Sequence, residues 1–132
     1  MSVFLDTSAL LAVLDADDSY HARARDVWAD LVNRGEDLIV TNYVLVETFA
    51  LVQHRLGMEA IRSLAEDILP LVRVHWVNEA DHQAAVAALL TAGQRRLSLV
   101  DCMSFLIMRQ LNLRAAFAFD SDFRAQGFDT LG

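Results

Sequence analysis

The sequence predicts an α/β fold built on a parallel sheet of four or five strands, with helices covering both sides of the sheet. Short apolar runs of strand length alternate along the chain with longer segments of helical periodicity. The opening run, residues 3–5, is apolar on both sides, which is typical of a strand in a buried parallel sheet, and the run at 72–77 alternates between apolar and polar residues. We expect residues 1–132 to form one domain, because the length suits one hydrophobic core and no linker or internal repeat interrupts it.

Composition excludes several classes of protein. The formal net charge is −7, and all 11 basic residues are arginine. This balance repels nucleic acid at long range, and the absence of lysine excludes a P-loop. No apolar run reaches the length of a membrane span, and a signal peptide is not expected. With Cys102 as the only cysteine, no internal disulfide can form. We expect a cytoplasmic protein.

The opening strand carries the first candidate functional residue. Its apolar run, residues 3–5, stops at Asp6, and Thr7 and Ser8 lead into a helix over residues 9–14. In open α/β sheets, ligands bind beyond the carboxyl ends of the strands, which is where Asp6 is expected to lie. Asp is also a favoured N-cap residue, so Asp6 could instead serve only to cap this helix.

The next elements follow from apolar periodicity and from their capping residues. After an acidic turn, Asp18 or Ser19 is expected to cap a helix over residues 21–33, which Gly35 ends. Thr41 or Asn42 is expected to cap the helix that follows the second strand. The predicted strands are 38–40, 72–77, 115–119 and an edge strand at 128–131, and the remaining helices are 43–56, 58–69 (stopped by Pro70), 79–91 and one that begins after Ser98.

The second candidate is Glu47, inside the predicted helix over residues 43–56. The residues three and four positions away, which share its helix face, are Tyr43, Val44, Ala50 and Leu51. A carboxylate among such neighbours is expected to be buried, which is costly unless it is paired or bound to a metal. The alternative is that a buried arginine satisfies Glu47.

Two further acids complete the candidate set. Asp101 stands at the third position of an almost wholly apolar helix that Ser98 is expected to cap. An acid in the first turn also complements the helix dipole, so Asp101 could be purely structural. Asp120 ends the apolar run 115–119 in the same way that Asp6 ends the opening run, and Asp122 follows it.

Several carboxylates at one edge of the sheet cannot all ionise without a counter-charge. A hard divalent cation with oxygen ligands, Mg²⁺ or Mn²⁺, is the expected solution. Such a site suits hydrolysis of phosphodiester bonds. The four histidines have no metal-ligand spacing, and no Ser/His/Asp grouping is evident.

These motifs resemble the PIN domain, and in particular the VapC-type ribonuclease toxins. The resemblance covers essentially the whole chain and rests on Leu5-Asp6-Thr7-Ser8-Ala9-Leu10, on Glu47 within its helix, on Ser98-Leu99-Val100-Asp101 and on Asp120-Ser121-Asp122-Phe123. One departure is Ala118, where the family often has threonine or serine two residues before the last acid.

The resemblance implies a PIN-like fold and a metal-dependent ribonuclease. It implies that Asp6, Glu47, Asp101 and Asp120 are the catalytic, metal-binding acids. It also implies that Thr7 or Ser8 steadies a water or ligand at the metal, and Asp122 matches a position that is acidic in some members. The implied partners are an RNA substrate, a cognate antitoxin and a second copy of the chain. A non-catalytic PIN-like scaffold and a related DNA nuclease are the alternatives.

Overall fold

The computed structural model describes all 132 residues, as five strands and seven α-helices. The strands are β1 (Ser2–Leu5), β2 (Asp37–Thr41), β3 (Arg73–His75), β4 (Ala115–Phe117) and β5 (Asp129–Leu131). The helices are α1 (Thr7–Leu14), α2 (His21–Asn33), α3 (Asn42–Leu56), α4 (Met58–Ser63), α5 (Glu79–Ala92), α6 (Leu99–Gln110) and α7 (Asp122–Ala125).

All five strands are parallel and lie in the order β3-β2-β1-β4-β5. The chain moves outward from β1 through β2 to β3, then crosses back to β4 and continues to β5. Because such crossovers are right-handed, α1 to α4 lie on one face of the sheet and α5 to α7 on the other. The connections that leave β1 and β4 therefore diverge, so these two strands form the topological switch point, where α/β proteins bind their ligands.

The hydrophobic core fixes the ends of these two central strands. Val3, Phe4 and Leu5 are fully buried in β1, as the two-sided apolar run predicts. Phe123 in α7 is also fully buried, and its ring centroid lies 6.3 Å from that of Phe4 and 5.0 Å from that of Phe105. Since Phe123 follows the last pair of acids directly, its burial anchors the loop that carries them.

The prediction of one continuous helix over residues 58–69 is wrong in detail. The α-helix ends at Ser63, a single π-helical turn covers Leu64–Ile68, and a 3₁₀ turn covers Leu69–Leu71. Pro70 has no N–H to donate, and its ring would collide with the carbonyl group four residues earlier in an α-helix. The chain therefore leaves α-helical geometry before it reaches this proline.

Two strands and one helix cap also differ from the prediction. The 72–77 strand is limited to β3, and the 115–119 strand to β4, because the neighbouring strands β2 and β1 end at the residues paired with His75 and Phe117. Neither Asp18 nor Ser19 caps α2, which begins after Tyr20 without a side-chain cap. The Asp18 carboxylate accepts the Tyr20 N–H instead and so stabilises the preceding turn.

The remaining predicted elements are present, with ends that differ by one or two residues in places. Gly35 and Gly57 both adopt positive φ at the helix ends, as expected of glycine there. Thr41 caps α3 through a bond from the Val44 N–H, and Ser98 caps α6. None of the helices combines the length and the apolar character that crossing a membrane requires.

Candidate functional site

Asp6 lies at the carboxyl end of β1 and caps α1, so both interpretations of this residue describe its position. Its Oδ2 accepts the Ser8 N–H at 3.1 Å and the Ser8 hydroxyl at 2.6 Å. Burial raises the pKa of this carboxyl from 3.8 to about 6, against the lowering effect of the Ser8 bonds. The charges of Asp101 and Asp120 raise the pKa further, which places both acids within electrostatic reach of Asp6.

Asp101 also has a capping role. The Ser98 hydroxyl accepts the Asp101 N–H, and Asp101 Oδ2 accepts the Ser98 N–H, each at 3.0 Å. This reciprocal pair is a capping box. Partial burial raises the pKa of Asp101; the Ser98 bonds oppose this, and the charges of Asp120 and Asp122 reinforce it. The capping interpretation is thus correct for one carboxylate oxygen, while the group also faces other acids.

Asp120 lies in the loop between β4 and α7, and Asp122 is the first residue of α7. The Asp122 N–H donates to Asp120 Oδ1 at 2.9 Å, which fixes the turn. The Asp122 carboxylate is almost fully buried, and Arg96 Nη1 lies 3.2 Å from its Oδ1. Burial and the Asp120 charge raise the pKa of Asp122, and Arg96 lowers it. One arginine therefore partly neutralises this end of the cluster.

Carboxylate oxygens of Asp101, Asp120 and Asp122 all lie within 4.8 Å of one another. Oxygens on opposite sides of one Mg²⁺ lie about 4 Å apart, so small side-chain rotations would bring these groups into coordination range. The donors are exclusively oxygen, and negative charge exceeds the single arginine counter-charge. This donor set fits a hard divalent cation.

Glu47 is placed differently from the other candidates. Its side chain is half-buried rather than buried, and no arginine forms an ion pair with it, so the buried-arginine alternative is not observed. It does not belong to the three-acid group, but it lines a cavity of about 310 Å³ together with Val100, the neighbour of Asp101. Glu47 is therefore separate from the three-acid group and shares a cavity wall with the residue before Asp101.

The hydroxyl groups of Thr7 and Ser8 both make hydrogen bonds within the protein. Thr7 Oγ1 donates to the Val44 carbonyl at 3.5 Å and accepts from Thr48 Oγ1 at 3.1 Å. Ser8 Oγ donates to Asp6 and accepts the Phe119 N–H at 3.0 Å. Ser8 thus joins the start of α1 to the loop after β4, next to Asp120, and keeps one hydroxyl lone pair free.

We expect the Ser8→Ala substitution to lower the free energy of unfolding by about 1–3 kcal/mol, because it leaves the part-buried Phe119 N–H without its acceptor and removes a charge-assisted bond. Urea denaturation measures this loss. The matched control is Ser2→Ala, which removes an exposed hydroxyl bond to Asp37 and is expected to cost at most about 0.5 kcal/mol. Equal losses for the two variants would contradict a bridging role for Ser8.

Sequence reasoning assigned no role to Arg96 or to the contact between Ser8 and Phe119. Both contacts join residues that are distant in the sequence. Arg96, which precedes α6, contacts Asp122 in α7, and Ser8 in α1 contacts Phe119 in the loop after β4. Local spacing carries no signal for such pairs. The capping box, in contrast, was foreseeable from Ser98 and Asp101, which are three positions apart.

Comparison with known proteins agrees with this architecture. The PIN domain family model matches residues 3–129. The chain is 35% identical over 127 residues to proteins of two Mycobacterium tuberculosis strains that are named 23S rRNA-specific endonuclease VapC20. The match covers 96% of this chain and 95% of each relative.

Solved structures show the same fold. The crystal structure of Mycobacterium tuberculosis VapC20, described as a sarcin-ricin loop cleaving toxin, superposes with a TM-score of 0.83 at 33% identity, over 96% of this chain and 95% of that one. FitAcB from Neisseria gonorrhoeae gives a TM-score of 0.71 at 20% identity, over 100% and 97% of the two chains, which is evidence for the fold alone. The chain therefore belongs to the PIN domain family, and it resembles the VapC toxins within that family.

Proposed function

We propose that this protein is a metal-dependent endoribonuclease and the toxin of a toxin–antitoxin pair. The observation that carries the proposal is the group formed by Asp101, Asp120 and Asp122, with oxygens within 4.8 Å of one another. This group lies beside the buried Asp6 at the switch point of the sheet. The similarity to an endonuclease of 23S rRNA over nearly the whole chain supports RNA as the substrate class.

In this proposal Asp6, Asp101, Asp120 and Glu47 hold Mg²⁺ or Mn²⁺, and Asp122 assists as a further acid next to Asp120. A divalent cation at such a site supplies positive charge that activates water and stabilises charge on the phosphate oxygens. Asp6 and Asp101 are suited to holding it because their capping bonds fix their orientation and leave a second carboxylate oxygen outside those bonds. Ser8 and Thr7 contribute by positioning Asp6, and Ser8 can also accept a hydrogen bond from a nearby water.

Arg96 has a different role in the proposal. It pairs with Asp122 in the metal-free protein and so reduces repulsion among the acids. Its side chain is largely exposed, so the guanidinium can also turn toward an RNA phosphate once a cation neutralises the acids. The proposal further implies a cytoplasmic location, a cognate antitoxin and a homodimer; sedimentation of the purified chain measures the last of these.

The proposal predicts that the purified protein cleaves RNA in a metal-dependent manner. We expect cuts at one or a few positions of ribosomal RNA when Mg²⁺ or Mn²⁺ is present, and none in excess EDTA. Primer extension on RNA from treated ribosomes maps the cuts, and 23S rRNA is the first substrate to test. Single-stranded DNA of the same sequence is the control.

Two results would contradict this function. Folded protein that leaves RNA intact with either metal would favour a non-catalytic scaffold. Equal cleavage of the matched DNA would favour the related DNA nuclease. In cells, induction is expected to stop growth, and co-expression of the cognate antitoxin is expected to restore it.

A further inference from the structure

A second cavity, of about 290 Å³, opens directly beside the acidic cluster. Asp120 lines it, so one wall belongs to both sites. The other walls come from the residues just before and within α2, from α7 and from the end of β5. The side chains that matter for its chemistry are Tyr20, Arg23, Phe119, Arg124 and Thr130.

The two arginines of this cavity have no acidic partner. The ion pairs of the protein involve Arg34, Arg73, Arg96 and the N-terminus, and neither Arg23 nor Arg124 lies within 4 Å of a carboxylate oxygen. Most arginines of the chain share this lack of a partner, and Arg23 and Arg124 differ from the others in lining one cavity with Asp120. Two unpaired guanidinium groups that line one cavity suit a phosphate-bearing ligand.

Arg124 is also held in place. Its Nη2 donates to Thr130 Oγ1 at 2.9 Å, which leaves the other N–H groups of the fork free. A guanidinium that is fixed by a neutral hydroxyl keeps its full charge for a ligand. Arg23 reaches the same cavity from α2, so the two charges approach it from different elements.

An aromatic platform adjoins these charges. The Tyr20 ring stacks on the Phe119 ring, with centroids 4.5 Å apart and planes 13° from parallel. Tyr20 nevertheless remains 51% exposed, although it is a large aromatic residue. Stacked, exposed aromatic rings beside positive charge are the means by which proteins bind the bases of single-stranded RNA.

We propose that this cavity binds a nucleotide of the RNA next to the one that is cleaved. Arg23 and Arg124 contact its phosphates, and Tyr20 stacks against its base. This inference rests on the proposed ribonuclease function, because it assigns to the same substrate a binding site that begins at Asp120. It also gives a reason why a strongly acidic protein can hold RNA, since the unpaired arginines face the substrate locally.

The kinetic test uses Arg23→Gln, Arg124→Gln and the double variant on an RNA fragment that contains the mapped cut. We expect the double variant to raise KM about tenfold or more, with kcat changed less than about threefold, because binding is lost and the acids are untouched. The dependence of log KM on log salt concentration is expected to become shallower by about 0.7 for each phosphate contact removed. Arg25→Gln is the matched control, since Arg25 is exposed on the same helix and does not line the cavity.

Tyr20 is tested separately. Tyr20→Ala is expected to raise KM at least about fivefold, which corresponds to the lower limit for loss of one base stack. Tyr20→Phe keeps the ring and is expected to restore KM to within about twofold of the unsubstituted protein. Melting temperatures of all variants show whether each one is folded, and Arg124→Met, which keeps the apolar stem and removes the charge, serves as the substitute if the glutamine variant does not fold.

Unchanged KM and unchanged salt dependence in the double variant, while the unsubstituted protein cleaves RNA, would overturn the inference and leave the proposed function intact. So would variants that cleave normally but no longer bind the antitoxin, since the cavity would then hold a protein. If the unsubstituted protein cleaves no RNA, the proposed function fails. Binding of a short fluorescein-labelled oligoadenosine in EDTA then tests the cavity separately. Binding that the double variant loses supports the inference that the cavity binds RNA, and no binding by the unsubstituted protein overturns that inference.

Discussion

The Asp101→Asn variant is expected to lose RNA cleavage by at least about 100-fold and to keep its fold. Asn has nearly the same shape as Asp, and its side-chain oxygen can still accept the Ser98 N–H, so the capping box is retained. What changes is one negative charge in a group whose oxygens lie within 4.8 Å of one another. Removal of a group that stabilises charge in the transition state typically costs 10²–10³-fold in rate.

Single-turnover cleavage of the mapped RNA fragment, at saturating Mg²⁺, measures this loss. The same result is expected for Asp6→Asn, in which the side-chain oxygen can still accept the Ser8 bonds. Asp17→Asn is the control, because Asp17 is an exposed acid in the turn before α2 and its carboxylate makes no hydrogen bond. It is expected to retain full activity.

This experiment also separates the two interpretations of Asp101. If the residue serves only as a helix cap, Asp101→Asn keeps full cleavage, and the variant that suffers is Ser98→Ala, through stability. If it holds a cation, cleavage is lost while the melting temperature is maintained. Full activity of Asp101→Asn together with inactive Asp120→Asn would restrict the metal site to the β4–α7 loop and β1.

The sequence predicts most of the fold because its signals are local. β1 and Asp6 follow from one apolar run and the carboxylate that ends it, and α6 follows from Ser98 and the apolar residues after it. The lengths of β3 and β4 could not be predicted in this way. Each strand ends where its neighbour ends, at His75 and Phe117, which is a property of the pairing and not of the strand's own residues.

The candidate site likewise contains residues whose positions follow from local sequence signals and one, Glu47, whose burial does not. The presence of Asp6, Asp101 and Asp120 at one edge follows from parallel strands and from the start of a helix. Glu47 illustrates the limit, since apolar neighbours on a helix predict burial only if that face packs inward. Val46 is 70% exposed and Glu47 is half-buried, so this side of α3 borders the open cavity that it shares with Val100 and does not pack into the core.

The metal-free protein is expected to become more stable on mild acidification. Asp6 has an ordinary pKa of 3.8 when unfolded and about 6 when folded, because burial disfavours its charge. The folded state therefore binds this proton more tightly, so the stabilisation is complete below pH 3.8 and is lost as pH rises through about 6. The raised pKa values of Asp101 and Asp122 act in the same direction.

Other carboxylates set the pH below which further acidification destabilises the protein. The pKa of Glu36 is lowered mainly by a hydrogen bond from the N-terminus, and that of Asp37 by Arg73. Their stabilisation is present above their unfolded pKa values of 4.5 and 3.8, and it is lost as pH falls through the lowered values. We therefore expect stability to increase from pH 7 to pH 5 and to decrease in stronger acid.

Linkage gives the size of the increase. Between pH 7 and pH 5, Asp6 alone contributes about 1 kcal/mol, which corresponds to a rise in melting temperature of roughly 3–6 °C for a domain of this size. At pH 7, Mg²⁺ at 100 times its dissociation constant is expected to stabilise by about 2.7 kcal/mol. The shift caused by Mg²⁺ is expected to be smaller at pH 5, because protons then compete for the same carboxylates.

A melting series across pH, with EDTA or Mg²⁺, on the unsubstituted protein, Asp6→Asn and Asp17→Asn tests this account. Asp6→Asn is expected to melt higher than the unsubstituted protein in EDTA at pH 7, to lose most of the gain between pH 7 and pH 5, and to respond less to Mg²⁺. Asp17→Asn is expected to behave as the unsubstituted protein does. If Mg²⁺ causes no shift and Asp6→Asn melts several degrees lower at pH 7, the acids are structural partners that stabilise the fold as anions, and the metal-dependent nuclease is the wrong assignment.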